Sequence, residues 1–370
     1  MQISKNILIA PLNWGLGHAT RCIPIINAII ANGDTPIIAS DGAALRLLKK
    51  EFPALQFITL PGYSIQYPKN GQFFKLRLLK DSPRIWNAIR KEHALLQELI
   101  AIHNIDGVIS DNRLGMYSNL VPSVIITHQL QVLSGTTTWL STQLHQHYIK
   151  KYDACWVPDV NGVHSLSGNL SNCDDPQINK VYLGPLSRFE KRTKEQVKYD
   201  LMVLLSGPEP QRQMLEDKLI KEVQSYDGNV LFIAGKISKK QLTEKKGKVT
   251  YYNFLSTDGL QKAMDRSKVV LSRSGYTTIM DLHKLQKKAF FIPTPGQFEQ
   301  EYLAKSLEEQ GIAPFATQDE FTIKDLERIE NYAGLGTIQS STSTSISSIL
   351  EETFSSVNEN SDPIPNSLST

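Results

Sequence analysis

NILIAPLNWGLGHATRCIPIINAII, residues 6–30, holds the decision about the fold. NILIAP is a short continuous apolar run and reads as a buried strand. The residues after His18 carry a helical apolar pattern and predict a helix over 19–32. Between them lies a glycine loop, Gly15-Leu16-Gly17-His18. Strand, tight glycine turn and helix start together open a doubly wound α/β unit, whose ligands bind outside the strand C-terminal ends. Thr20 stands where a dinucleotide fingerprint would place its third glycine, which argues against a dehydrogenase. Gly15 and Gly17 allow a close backbone approach. His18 is then the chemical residue of the loop, since imidazole is the best general base near neutral pH. The plain alternative is a histidine that only caps or packs the helix.

Working outward, the same alternation recurs. TPIIAS, LQFITLP, DGVISD, PSVIITH and DACWVP read as strands, with AALRLLKKEF and residues 83–103 as helices. Continuous apolar strands joined through helices imply a mostly parallel sheet covered on both faces. Residues 158–180 are polar and rich in Gly, Asn and Asp, a connecting region. Then VYLGP, LMVLLS, VLFIAG, VTYYNF, KVVLSR and AFFIP predict a second unit. The expected division is 1–163 for an N-terminal Rossmann-like domain and 164–345 for a C-terminal Rossmann-like domain. Residues 346–370 would be the end of a last helix and a disordered tail.

Bulk properties narrow the class. A length of 370 residues is comfortable for two domains. A net charge of +3 is too small to argue for a nucleic-acid partner. Cys22, Cys155 and Cys173 form no CxxC pair, so neither a zinc site nor a disulfide framework is supported, and a reduced, cytoplasmic setting fits. MQISKNILIA is too short in its apolar part for a signal peptide. No run approaches the roughly 20 apolar residues that span a bilayer, which leaves peripheral contact with the inner membrane face as the membrane option.

Polar residues at the predicted strand ends supply the candidate site. DGVISD ends at Asp111, followed by Asn112 and Arg113; Asp111 could orient His18 as the acid of a triad orients its base. A turn or cap role is the alternative for it. PSVIITH ends at His128, a second candidate acid or base, or a substrate contact. After LMVLLS come Ser206, Gly207 and Arg212, a small-residue loop opening a helix and a fixed positive charge, suited to phosphate. The richest segment is 269–311. Arg273, Ser274 and Gly275 end a strand, and Thr278 lies in the helix that follows, where backbone N–H groups favour a diphosphate. Asp281 lies one turn on and can accept hydrogen bonds from ribose hydroxyls. Gln297, Gln300 and Glu301 begin the next helix with side chains suited to sugar hydroxyls.

At these residues the chain resembles the GT-B glycosyltransferases, in particular the family 28-like group. That group includes the peptidoglycan N-acetylglucosaminyltransferase that makes lipid II and the plant diacylglycerol galactosyltransferases. SRSGYTTIMDL…FIPTPGQFEQEYLA carries the resemblance and GLGHATR supports it more weakly. It implies two Rossmann-like domains facing a cleft and a nucleotide sugar, usually a UDP-sugar, bound mainly by the C-terminal domain. Arg273, Ser274, Gly275 and Thr278 match its diphosphate motif. Asp281 stands where such enzymes commonly have a ribose-binding glutamate. Gln300 and Glu301 match a Gln-Gln pair that contacts the donor sugar, with a departure at the second position. Arg188, in LGPLSR, matches an interdomain arginine, and Ser206-Gly207 the donor-facing loop. His18 with Asp111 is similar to the His/Asp base of related plant glucosyltransferases.

The reaction so implied is inverting hexosyl transfer to an acceptor hydroxyl, lipid-linked or glycan, in cell-envelope or glycan synthesis. His18 would be the base, and the helix start at Ser274–Thr278 would stabilise the leaving diphosphate. No DxD motif or His/Cys cluster marks a metal site, so no metal cofactor is expected. Residues 61–80 interleave aromatic and basic side chains and suit an anionic or lipid acceptor at a membrane surface. A UDP-sugar 2-epimerase and a non-catalytic sugar-nucleotide-binding protein are the alternatives on the same scaffold.

Overall fold

The computed structural model describes residues 4–63, 74–162, 164–192, 195–236, 238, 240–339 and 344–355. Two sheets organise them, with seven and six strands. The first runs β3-β2-β1-β4-β5-β6-β7. Its members are β1 (Asn6–Pro11), β2 (Thr35–Ser40), β3 (Gln56–Thr59), β4 (Gly107–Asp111), β5 (Ser123–Ile126), β6 (Ala154–Val157) and β7 (Lys180–Tyr182), all paired in parallel. The second runs β10-β11-β9-β8-β12-β13. It comprises β8 (Tyr199–Leu204), β9 (Val230–Ile233), β10 (Thr243–Lys246), β11 (Val249–Tyr252), β12 (Ser267–Ser272) and β13 (Lys288–Phe291). Only β10 is antiparallel to its neighbour. This is the two-sheet GT-B architecture that the sequence predicts.

The apolar strands lie where their composition sends them. β4 and β5 are buried at every position, as strands covered on both faces must be. Helices α1 (Gly17–Ala31), α2 (Gly42–Glu51), α3 (Phe74–His103), α4 (Thr138–Ile149), α5 (Gln211–Glu222), α6 (Thr257–Asp265), α7 (Tyr276–Lys284), α8 (Phe298–Glu309) and α9 (Ile346–Ser355) cover them. No helix among the described residues is long and apolar enough to cross a membrane.

Strand order positions the chemistry. β1 has β2 on one side and β4 on the other, so the crossovers leave its two sides in opposite directions. A crevice opens there, at the strand C-terminal ends. Pro11 and Asp111 are register partners at its floor. In the second sheet β8 lies between β9 and β12, which sets the loops after β8 and β12 side by side at a matching crevice.

Two expectations need correction, at VYLGP and at the helix read over 83–103, and two features carried no signal in the sequence. VYLGP does not begin the second unit: Lys180 pairs with Cys155, and the strand closes the edge of the first sheet. The chain passes from the first sheet to the second between Tyr182 and Tyr199. α9 packs on α1, and Phe354 lies edge-on to Trp156 of the first sheet. Its side chain also occupies the space that a Cβ on Gly107 would need. β10, TEKK, is exposed throughout, so no apolar pattern announced it. The helix read over 83–103 begins at Phe74, well before Pro83. Of the aromatic, basic stretch 61–80, residues 64–73 lie outside the described residues, and so does the tail 356–370.

Candidate active site

The loop after β1 and the end of β4 bring His18 and Asp111 together. His18 Nδ1 lies 2.8 Å from Asp111 Oδ1, with Asp111 fully buried and the His18 ring largely so. Gly15 holds φ +84°, a left-handed turn that glycine adopts without strain. The turn delivers His18 to the first turn of α1. Asn112, next to Asp111, also sits at positive φ, +57°, and its Oδ1 is buried with no hydrogen-bond partner among the described residues. Backbone strain of this kind concentrates at functional positions.

Arg21 is the member of the site that sequence reading missed. It lies one turn along α1 from His18, on the same face. Its Nε donates to Asp111 Oδ2 at 2.6 Å, and Nη2 donates to Oδ1 in a two-pronged grip. Burial alone would raise the Asp111 pKa, but the Arg21 and His18 charges and hydrogen bonds outweigh it and hold the carboxyl well below the usual range. Burial is also the largest influence on His18 and lowers its pKa; Asp111 opposes this and Arg21 adds to it. His18 is thus neutral near pH 7. Its Nδ1 also lies 2.9 Å from Arg21 Nη2, and one ring nitrogen cannot donate to the carboxylate and accept from the guanidinium at once. Arg21 Nη2 already has Asp111 as acceptor, and a carboxylate is the stronger partner. The favoured tautomer therefore carries its proton on Nδ1 and leaves Nε2 free to accept one.

His128 lies at the end of β5, 4% exposed. Its ring stacks on Tyr276, the first residue of α7, at 4.0 Å between centroids. Nε2 meets Glu299 Oε1 at 2.8 Å, and Gln129 Nε2 donates to the other Glu299 oxygen. Arg21 Nη1 stands 3.4 Å from His128 Nδ1. Both neighbours are satisfied by one neutral form of His128, with the proton on Nε2. Burial raises the Glu299 pKa, but His128 first and then Arg21 and His18 outweigh it, and the carboxyl sits below its ordinary value.

The two glycine loops face each other. A Cβ on Gly17 would lie 2.9 Å from Thr277 Oγ1, so the start of α1 abuts the start of α7. Gly275 caps α7 with extended backbone, and Thr278 is half-buried one turn in. Ser274 is buried and donates through Oγ to the Gln300 carbonyl at 2.8 Å. The Gln300 side chain accepts from Thr294 N at 2.9 Å, and its Nε2 lies beside Gly275. Gln297 caps α8 and is half-buried. Glu301 is exposed and accepts from Gly296 N at 2.8 Å, so it is tied to its own loop. Ser206 and Gly207 lie after β8, with Gly207 at φ +108° and open space around it.

Three arginines turn away from the crevice. Arg113 is fully buried, donating to Pro11 O, Pro61 O, Glu92 and Asp41. Arg212 is held by Glu209, Glu216 and Ala234 O. Arg273 donates to Ile292 O, Pro293 O, Gln211 O and Gln318 Oε1, and burial lowers its pKa to about 9. Each guanidinium fastens strand-end carbonyls or carboxylates of its own domain. Arg188 differs. Its Nε is buried without a hydrogen-bond partner among the described residues, and it lies 3.9 Å from Asp281 Oδ2. Asp281 accepts from Ser187 Oγ at 2.6 Å, and burial, tempered by Arg188, raises its pKa to about 6. Among the described residues no group of three or more His, Cys, Asp and Glu could hold a metal ion.

Known proteins match this architecture. Residues 210–331 match the glycosyltransferase family 28 C-terminal domain, a stretch that runs from the start of α5 through β12, α7 and α8. The UDP-N-acetylglucosamine–N-acetylmuramyl-(pentapeptide) pyrophosphoryl-undecaprenol N-acetylglucosamine transferase of Haemophilus ducreyi is 24% identical over 223 residues, 58% of this chain and 59% of that protein. Its counterpart in Buchnera aphidicola is 27% identical over 59% of each. The chain thus spans about three fifths of the length of these relatives. An uncharacterized glycosyltransferase of Methanopyrus kandleri is 22% identical over 85% of this chain and 91% of its own. Among solved structures, spinosyn rhamnosyltransferase SpnG superposes with a TM-score of 0.59 at 13% identity, covering 95% of this chain and 96% of that one. MurG of Acinetobacter baumannii gives 0.51 at 13% identity, covering 88% and 89%. These structures share the fold.

Proposed function

We propose that this chain, with its family 28 C-terminal domain, is an inverting glycosyltransferase that moves a hexosyl group from a UDP-sugar to an acceptor hydroxyl. One observation carries the reading: a carboxylate-oriented histidine directly follows Gly17, whose backbone abuts Thr277 in the first turn of the donor-motif helix. His18 Nε2 takes the acceptor proton as the hydroxyl attacks the anomeric carbon. Asp111 keeps Nδ1–H in place and stabilises the imidazolium that forms. The bond to the diphosphate oxygen breaks, and the backbone N–H groups of α7 receive the developing charge. Arg188 supplies the positive side chain there, since Arg273 and Arg212 are committed inside their domain. Asp281 takes the ribose hydroxyls once nucleotide draws it from Ser187, and Gln300 the sugar. The helix N-terminus does the work of a divalent cation, so transfer proceeds without one. Asn112 Oδ1, buried and without a hydrogen-bond partner among the described residues, takes a hydrogen bond from the acceptor.

The acceptor is lipid-linked or a glycan, and the first domain meets the inner membrane face through the stretch around residues 61–80. Incubation with UDP-sugars, with and without lipid-linked acceptors, tests the function. UDP release that depends on acceptor and survives EDTA is expected. A change in the sugar without release would mean epimerisation, and binding with neither would mean a non-catalytic protein. Absence of co-sedimentation with anionic liposomes would sink the membrane contact.

A further inference from the structure

We propose that Glu299 is a positioning residue for the transfer base, acting from the donor-side domain through His128 and Arg21. The inference rests on the reading of His18 as that base.

Glu299 lies in the first turn of α8, where a negative charge suits the helix dipole. That preference would be met by a side chain pointing into water. Here it crosses to the other half of the molecule and takes two residues of one loop, His128 Nε2–H with Oε1 and Gln129 Nε2–H with Oε2. A mostly buried carboxylate is costly unless fully hydrogen-bonded, so the placement has to be maintained by these partners. Holding the proton on His128 Nε2 leaves Nδ1 as an acceptor, and the atom facing it is Arg21 Nη1 at 3.4 Å. The remaining edge of the same guanidinium grips Asp111, and Asp111 holds His18. Tyr276 closes the other face of the His128 ring. The result is one chain of contacts, Glu299–His128–Arg21–Asp111–His18, that starts in one domain and ends at the base in the other.

The chain couples two events. Gln300 and Glu301, the residues in the donor-sugar motif, directly follow Glu299 on α8. When α8 is docked, Glu299 fixes His128, His128 orients Arg21, and Arg21 presents both prongs to Asp111. When the domains part to load a nucleotide sugar, that support is withdrawn. His18 is therefore set for proton transfer only in the closed arrangement, which limits activation of water while the site is open.

The test uses full-length Glu299→Ala and Glu299→Gln, with unfolding temperatures recorded for both. Spectra of 15N-histidine-labelled protein without ligand read the tautomers of His128 and His18. In wild type His128 is expected as the Nε2–H form and His18 as the Nδ1–H form. Glu299→Ala should lose the single His128 tautomer and perturb the His18 signal. Glu299→Gln, whose side-chain oxygen still accepts from Nε2–H, should retain the wild-type pattern in part. In turnover, Glu299→Ala should lower kcat about tenfold, part of what a general base supplies, with donor KM changed less than twofold. Unchanged His18 signals in Glu299→Ala, or a loss confined to KM, would overturn the proposal. If the wild-type protein transfers no sugar, the function reading fails separately, and the spectra still decide whether Glu299 positions His18.

Discussion

Gly17 and Thr277 meet across the two domains with no room for a methyl group: a Cβ on Gly17 would approach Thr277 Oγ1 to 2.9 Å. Gly17 opens α1 without a positive φ, so its missing side chain serves this contact, and Gly15 serves the turn. Gly17→Ala should therefore cut transfer about tenfold or more while leaving the unfolding temperature within a few degrees, since a displacement of 1 Å at a reacting centre is costly. Thr277→Ala placed on top should recover a large part of the loss. Failure of the second change to recover any activity would mean that the first acts within its own loop.

His18→Ala and Asp111→Asn should part company. The first removes the base and should lower kcat by about 10² to 10⁴, with UDP affinity unchanged. It leaves the Arg21–Asp111 pair intact, so it should cost far less stability than Asp111→Asn. The second leaves Arg21 buried beside a neutral amide, and breaking a buried pair costs about 3–5 kcal/mol. Asp111→Asn should thus lower both kcat and the urea midpoint. Equal midpoints for the two variants would count against the buried clamp.

The pH dependence follows from the same contacts. The His18 pKa lies below its ordinary 6.5 in the folded protein, so the acid limb of kcat/KM should fall at a pH below 6.5. For stability, the unfolded chain takes up the proton first as pH drops below 6.5. The His18 contribution therefore erodes from that point down through the folded value. The Asp111 contribution is present above its ordinary 3.8 and is lost only on further acidification through its depressed folded value. Urea midpoints of wild type and His18→Asn at pH 7.5 and 5.5 should converge toward the acid side. A wild-type advantage that grows on acidification would contradict this.

Asp281 ionises near pH 6, so the carboxylate proposed for the ribose forms across the range from 5 to 7. Nucleotide affinity should rise over that range more steeply in wild type than in Asp281→Asn. Calorimetric titration with UDP decides it, the variant correcting for ionisation of the phosphate itself. Parallel slopes would remove Asp281 from the ribose site.

The fold was legible in the sequence because its strands are apolar runs that need burial on both faces. β10 was not, since an edge strand of TEKK exposes every side chain and leaves no period to read. The edge position of β7 was hidden for a related reason: three residues carry no signal of which sheet they join. His18 and Asp111 were found as strand-end residues, and the neighbouring order of β1 and β4, which lets them touch, belongs to topology. Arg21 was passed over because a helix arginine usually reaches solvent; its spacing of three from His18 was the available cue. Glu299 stood in a polar helix start suited to sugar hydroxyls, and its reach to His128 and Gln129 joins segments far apart in sequence. The inward turn of Arg113, Arg212 and Arg273 depends on carbonyls and carboxylates supplied from distant segments, which no local pattern encodes.

α9 returns to the first domain, where Lys5 Nζ donates to the Phe354 carbonyl at 2.5 Å and Asn32 Nδ2 to the Ser347 carbonyl at 3.3 Å. The polypeptide thus passes between the two sheets twice, after β7 and again ahead of α9. A body joined to another at two points swings about the line between them, as a door does, and resists twisting and sliding. Two such connections favour a single rotation of one sheet against the other, with Gly17 and Thr277 as the point where the two glycine loops meet.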